Sequence, residues 1–161
     1  MASASLTYQV RNLEFHLNMS QFERFLKKNK IQRENISYAA SKSLVGEDGK
    51  PLMWTIRPIS TKENERIRDE CMVDVPVDGK PWAFRPKLEL RRYMAKLLAA
   101  SVVEPNLYDK ELQDSYGVMT PEELIQEMLD NPAEYQEFVD LVQRFNGFGE
   151  SFEEMVDEAK K

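Results

Sequence analysis

Two side chains of this sequence belong to the types most often used for nucleophilic catalysis or zinc binding: the single histidine, His16, and the single cysteine, Cys71. A catalytic cysteine needs a base within hydrogen-bond reach, and a zinc site needs three or four such ligands. The two residues lie far apart in the chain and have no companions of their kind. The sequence therefore predicts neither chemistry. It predicts that Cys71 is a small buried apolar residue and that the chain belongs in a reducing compartment such as the cytoplasm.

Carboxylates and glycines give no clearer catalytic signal. A pair of carboxylates can hydrolyse glycosidic bonds, but the 28 acidic residues here fall mainly at helix starts and on polar helix faces. The six glycines are scattered and do not form a phosphate-binding loop. The sequence thus predicts no catalytic residues, no metal ligands and no cofactor, and we expect a protein that is not an enzyme.

Charge divides the 161 residues into two unequal halves. Residues 1–103 hold 18 basic and 12 acidic side chains, whereas residues 104–161 hold 4 basic and 16 acidic ones. An acidic half repels phosphates, which argues against nucleic acid as its ligand. The basic half leaves open a small nucleic-acid-binding or regulatory protein as one alternative. No apolar run is long enough to span a bilayer, and we expect no membrane partner.

The first half of the chain reads as mixed helix and hairpin. We expect a helix over residues 20–30, hairpins over 36–59 and 73–86, and an intervening helix over 61–72 that opens with a capping box of Ser60 and Glu63. The hairpins share the turn sequence Asp-Gly-Lys-Pro, at 48–51 and 78–81. Each turn precedes an aromatic strand, containing Trp54 or Trp82, that ends in Arg-Pro. A tryptophan on such a strand is typical of a core or an interface.

The second half reads as helical. Apolar residues at Leu90, Met94, Leu97 and Leu98 predict a helix that ends before Glu104-Pro105, since proline cannot continue it. Caps at Thr120 and Asn131 predict two more helices, and Ser151 would open a last one.

The predicted class is α+β: a small antiparallel sheet from two hairpins with an intervening helix, followed by a helical C-terminal half. We expect an N-terminal extension or leader over residues 1–18. An α+β region over 19–86 would form one compact unit with an acidic helical region over 87–161.

One stretch carries a family resemblance. It comprises Tyr93 to Leu98, Ser101 to Pro105, Glu111-Leu112-Gln113 and Ser115-Tyr116-Gly117, with flanking helices and strands over residues 19–161. This pattern resembles phage tail assembly chaperones of the Bacillus defective-prophage (PBSX and skin-element, XkdN-like) type. The resemblance implies a chaperone that coats the tape-measure protein, keeps it soluble in the host cytoplasm and is absent from the finished tail. It also implies a ribosomal frameshift in many members, with which the ending Ala159-Lys160-Lys161 is compatible.

The resemblance leaves the partner surface to be inferred from the residues. Adaptable aromatic and methionine side chains near the C-terminus predict a client-binding segment, formed by Phe145, Phe148, Phe152 and Met155. The tape-measure protein is the expected partner, with the tail tube protein and a second copy of the chain as further candidates. The alternative reading is a structural or connector component of the tail.

Overall fold

The computed structural model describes residues 21–148, which are divided between two units, with the boundary after Arg33. The predicted extension over residues 1–18, with His16, and the last predicted helix lie outside the described residues. The domain boundaries inferred from the sequence stay predictions.

The first unit contains short 3₁₀ turns at Gln21–Phe25 and Lys27–Asn29 in place of the expected helix over 20–30. Leu26 between them has an extended backbone (ψ 147°). Phe22 and Phe25 are exposed, so most of the predicted apolar stripe is not buried. A short helix without tertiary burial is marginal, which explains the difference.

The second unit is built on a three-stranded antiparallel sheet. Its strands are β1 (Ile36–Tyr38), β2 (Trp54–Ile56) and β5 (Val102–Glu104), in the order β1-β2-β5. The first predicted hairpin is therefore present, but the third strand comes from residues expected to be helical. Val102 and Val103 are β-branched, and Glu104 precedes a proline, so all three residues favour an extended chain. The predicted helix does not take this preference into account.

The second predicted hairpin forms a sheet of its own, with strands β3 (Met72–Val77) and β4 (Lys80–Leu88). The expectation that both hairpins contribute to one sheet is thus wrong in arrangement, although the α+β class is confirmed. Among residues 21–148, β3 and β4 pair only with each other.

Helix α1 (Thr61–Glu70) begins at the predicted capping box. The Ser60 hydroxyl accepts a hydrogen bond from the Glu63 amide at 3.2 Å, and Glu63 Oε2 accepts one from the Ser60 amide at 3.1 Å. Arg57 adds a bidentate pair to the same carboxylate, at 2.7 and 3.1 Å. Ile67 and Cys71 are buried as predicted.

Helix α2 (Leu90–Ser101) lies in the centre of the core. Its buried residues are not confined to one stripe: Tyr93, Met94, Ala95, Leu97, Leu98, Ala99 and Ser101 are all covered. Helices α1, α4 (Pro121–Met128) and α5 (Pro132–Phe145) pack around it together with β5. A helix that is apolar on most sides is expected in the interior of a fold.

Helices α4 and α5 begin where the caps predict, since the side chains of Thr120 and Asn131 accept amide hydrogen bonds at their starts. A shorter helix, α3 (Lys110–Ser115), begins in the same way at Asp109. Gly117, with φ of +67°, follows the end of α3.

An aromatic cluster joins the sheet to α5. The ring of Phe138 stacks on Tyr38 at 6.1 Å and meets Trp54 edge-on at 5.8 Å. At the far end of α5, Asn146 Oδ1 accepts a hydrogen bond from the Ile59 amide at 2.7 Å. These contacts hold the basic and acidic parts of the second unit together.

The ion pair at the start of α1 makes stability depend on pH. The Arg57 hydrogen bond lowers the pKa of Glu63 from 4.5 to about 2. A lowered folded-state pKa stabilises the protein at pH values above the unfolded pKa, and this stabilisation is lost as the pH falls from about 4.5 toward 2.

We expect Glu63→Gln, which keeps a capping-box side chain, to reduce the slope of the free energy of unfolding against pH over this range, as measured by urea unfolding at several pH values. Equal slopes for variant and wild type would contradict the assignment.

Candidate protein-interaction surface

Within residues 21–148, no cluster of three or more histidine, cysteine or acidic side chains could hold a metal ion. Burial raises the pKa of the Cys71 thiol, which disfavours the nucleophilic thiolate. None of the helices in the same range has the length and apolar content of a membrane span. Two surface features, a hairpin with exposed aromatic rings and a groove between helices, have the character of protein-binding surfaces.

The first such surface is the hairpin of Met72–Leu88, which we call the hairpin arm. Its register pairs Met72 with Leu88 at the base and Pro76 with Phe84 near the tip, and Gly79 turns the chain with φ of +73°. The amide of Glu89 donates to the Cys71 carbonyl at 2.9 Å and closes the base. The arm therefore begins and ends at one point of the core.

One face of the arm is apolar and uncovered. Alternation along β4 and the β3–β4 register place Trp82 and Phe84 on the same side as Met72 and Pro76. Trp82 is 77% exposed and Phe84 is 61% exposed. Single exposed apolar residues are ordinary, but two neighbouring aromatic rings on a projecting hairpin are typical of a binding surface.

Prolines determine how a partner could bind the arm. Pro76, Pro81 and Pro86 lie within its two strands, and each lacks the amide hydrogen that a further strand would need. Strand addition at the edges is therefore disfavoured. The arm is suited to a partner that packs side chains against its aromatic face.

The charges of the arm are divided between its two faces. Arg85 and Lys87 pair with valines of β3 on the face opposite Phe84. Asp74 pairs with a proline on the aromatic face, and Lys80 lies at the turn. The aromatic face therefore has no excess of basic charge, and its character is mainly apolar.

The second surface is a groove between α2, α4 and α5, which we call the helix groove. Its volume is about 310 Å³, and it is lined by Leu90, Arg91, Met94, Gln126, Tyr135, Gln136 and Val139. Burial raises the pKa of the Tyr135 phenol, and a hydrogen bond with Gln126 opposes that rise. The apolar floor and carboxamide rim suit one inserted aromatic or aliphatic side chain.

The predicted client-binding residues are only partly placed. Phe145 and Phe148 are half-buried and pack against the core, whereas Phe152 and Met155 lie outside the described residues. The amide of Phe148 donates to the Gln143 carbonyl at 2.9 Å, and Gly147, with φ of +77°, donates to Arg144 at 3.1 Å. This is a Schellman cap, so α5 has a defined end at Gly147.

The sequence does not identify the hairpin arm as a binding surface. Trp82 and Phe84 alternate on one strand and valines alternate on the other, and this pattern predicts apolar residues on both faces of the hairpin. Such a pattern does not say which face is covered. Only the neighbouring elements reveal that the aromatic face is uncovered.

A sequence model of one family matches the chain over residues 22–160: the phage XkdN-like tail assembly chaperone proteins. This match covers most of the chain, and the chain belongs to this family. The resemblance read from the sequence is thereby confirmed.

Similar proteins occur in Bacillus subtilis strain 168. The phage-like element PBSX protein XkdN is 26% identical over 144 residues, which is 89% of this chain and 95% of that protein. The uncharacterized protein YqbN is 24% identical over 136 residues, or 84% of this chain and 90% of its own length. The crystal structure of YqbN aligns with a TM-score of 0.64 at 21% identity, over 78% of this chain and 95% of that one, and shows a shared fold.

The two tryptophans test the assignment of core and surface. Trp54 is 2% exposed, so Trp54→Ala should lower the free energy of unfolding by about 3–5 kcal/mol. Trp82→Ala removes an exposed ring and should change the free energy of unfolding by no more than about 0.5 kcal/mol in dilute solution. Urea unfolding of both variants followed by circular dichroism measures the difference. A large decrease in the free energy of unfolding of Trp82→Ala in dilute solution would mean that the ring belongs to the core.

Proposed function

We propose that this chain is a non-enzymatic tail assembly chaperone that binds the tape-measure protein and keeps it soluble in the bacterial cytoplasm. Family membership supports the class, and the exposed aromatic face of the hairpin arm carries the proposal of direct client binding. A chaperone for a long apolar helical chain needs apolar surface that its own fold leaves uncovered.

The arm suits such a client because its side-chain face can lie along an apolar helix stripe. Trp82 and Phe84 supply rigid contact area at low entropic cost, and burial of apolar surface contributes about 25 cal/mol per Å².

The acidic helical part gives the complex its solubility in this proposal. Residues 104–148 hold 11 acidic and 2 basic side chains. Like charges on neighbouring chaperones along one client chain repel and oppose aggregation. The tail tube protein, which assembles around the same client, is a second proposed partner.

The C-terminal aromatic segment is proposed as an additional client contact. Phe145 and Phe148 already pack on the core, so their contribution would come from their remaining exposed edges. Phe152 and Met155 follow in sequence and extend the apolar series. Methionine and phenylalanine adapt to varied apolar partners.

Co-expression with the tape-measure protein tests the role of the arm. We expect Trp82→Ala combined with Phe84→Ala to reduce the soluble client at least about tenfold, because the central aromatic contacts of an interface carry most of its binding energy. Soluble and pelleted client are quantified by gel densitometry. Met119→Ala, at a position that is 88% exposed and far from the arm in sequence, is the matched control. Client solubility that is equal for all three proteins would reject client binding by the arm.

Truncation after Phe148 tests the C-terminal segment without removing the cap of α5. We expect the shortened chain to keep the free energy of unfolding of the described unit but to retain less client in solution, because Phe152 and Met155 are lost. The same co-expression assay measures this. Undiminished client solubility would restrict the client surface to the arm.

A further inference from the structure

We propose that the C-terminal segment, residues 149–161, docks on the basic face of the hairpin arm within the same chain. The basic face lies opposite the aromatic one and carries Val73, Val75, Arg85 and Lys87. The segment itself lies outside the described residues. The inference concerns the free protein, so it does not rest on the proposed function.

The basic face combines apolar and cationic side chains. The register pairs Val73 with Lys87 and Val75 with Arg85, while Asp74 lies on the aromatic face. Val73 is 36% exposed, and Arg85 is exposed as well. The ion pairs found within residues 21–148 involve neither Arg85 nor Lys87. Two cations without a carboxylate partner beside partly exposed valines favour a ligand that is both acidic and apolar.

The sequence of the C-terminal segment has the matching chemistry. Its apolar residues recur at the spacing of one helix face: Phe152, Met155, Val156 and Ala159. Residues 150–159 also contain five acidic side chains and no basic one. Glu153 and Asp157 would be one turn apart on a helix, about 6 Å along its axis. Arg85 and Lys87 are two residues apart on one strand face, about 7 Å, so the charges have matching spacing.

The described end of the chain lies within reach of the arm. Asn146, which ends α5, accepts a hydrogen bond from the Ile59 amide at 2.7 Å, so the described chain ends beside the start of α1. Helix α1 has 10 residues, about 15 Å, and leads from there to the base of the arm. Residues 149–161 span about 25 Å when 151–159 are helical and the others extended. The segment can therefore reach Lys87, which is next to the base.

Charge disfavours the other surfaces as docking sites for this segment. Residues 121–145, which contain α4 and α5, carry seven acidic side chains and one basic side chain, Arg144. An acidic segment is repelled by these helices, although Arg91 contributes a positive charge to the lining of the helix groove. The aromatic face of the arm carries Asp74 and no excess of basic charge. The basic face is the surface with complementary charge.

Docking has a consequence for the apolar side chains of the segment. It covers Phe152 and Met155 while no partner is present, and it leaves the aromatic face of the arm open. A partner that binds these two side chains must then compete with the basic face. Because salt screens ion pairs at a protein surface, added salt weakens the docking.

Hydrogen exchange of the full chain, followed by mass spectrometry, tests the docking. We expect the amides of residues 152–159 to exchange at least about tenfold more slowly than in an isolated peptide of residues 149–161. Arg85→Glu combined with Lys87→Glu should remove this protection, because like charges then face each other. Adding Glu153→Lys and Asp157→Lys to that variant should restore it, because the pairs re-form with reversed signs.

Lys27→Glu combined with Lys28→Glu is the matched control, since it makes the same charge change in the first unit and should leave the protection unchanged. Unchanged exchange of the α2 amides shows that each variant is folded. Wild-type segment amides that exchange at the peptide rate overturn the inference, and so does equal protection in the arm variant and the control. Protection that rises with protein concentration between about 5 and 100 μM would mean binding to a second copy and would also overturn it. No client is present, so the result is separate from the test of the proposed function.

Discussion

The burial of helix α2 is the constraint on which the rest of the structure depends. Its residues are covered on most sides, by α1, α4, α5 and β5, and Lys96 lies 3.3 Å from Glu70 and 3.6 Å from Glu122. Because this helix occupies the centre, the segment before it must leave the core at Cys71 and return at Glu89. That requirement makes the hairpin arm a projection, since both of its ends are fixed at one place.

The hairpin arm and the acidic helical surface are the parts of this fold on which the proposed function rests. The core is closed by apolar packing around Phe138, Trp54 and Leu97, and no buried side-chain nitrogen or oxygen within residues 21–148 lacks a hydrogen-bond partner. The proposed binding therefore uses surfaces outside this core.

Much of the fold could be predicted because its signals are local. The caps at Ser60, Thr120 and Asn131 act on the first turn of their own helices, and Gly117 acts on the turn that ends α3. Strand β5 is not predicted although its two valines favour an extended chain, because its partner Ile56 lies far away in sequence. Of the four predicted client-binding residues, Phe145 and Phe148 are half-buried in the structure. Helix periodicity alone does not tell whether such residues are half-buried or exposed.

The two Asp-Gly-Lys-Pro hairpins show where local information ends. Both turns place a glycine at positive φ, and both are followed in sequence by a tryptophan and then by Arg-Pro, so the sequence alone predicts two similar hairpins. In the structure β2 ends at Ile56, before its Arg-Pro, whereas β4 continues through its Arg-Pro to Leu88. Trp54 is 2% exposed and Trp82 is 77% exposed. The difference arises because Phe138 and β5 cover the first strand, whereas the ends of the second hairpin are held at the buried helix α2. Turn chemistry acts between neighbours in the chain, but burial is decided by residues brought together only when the whole chain folds.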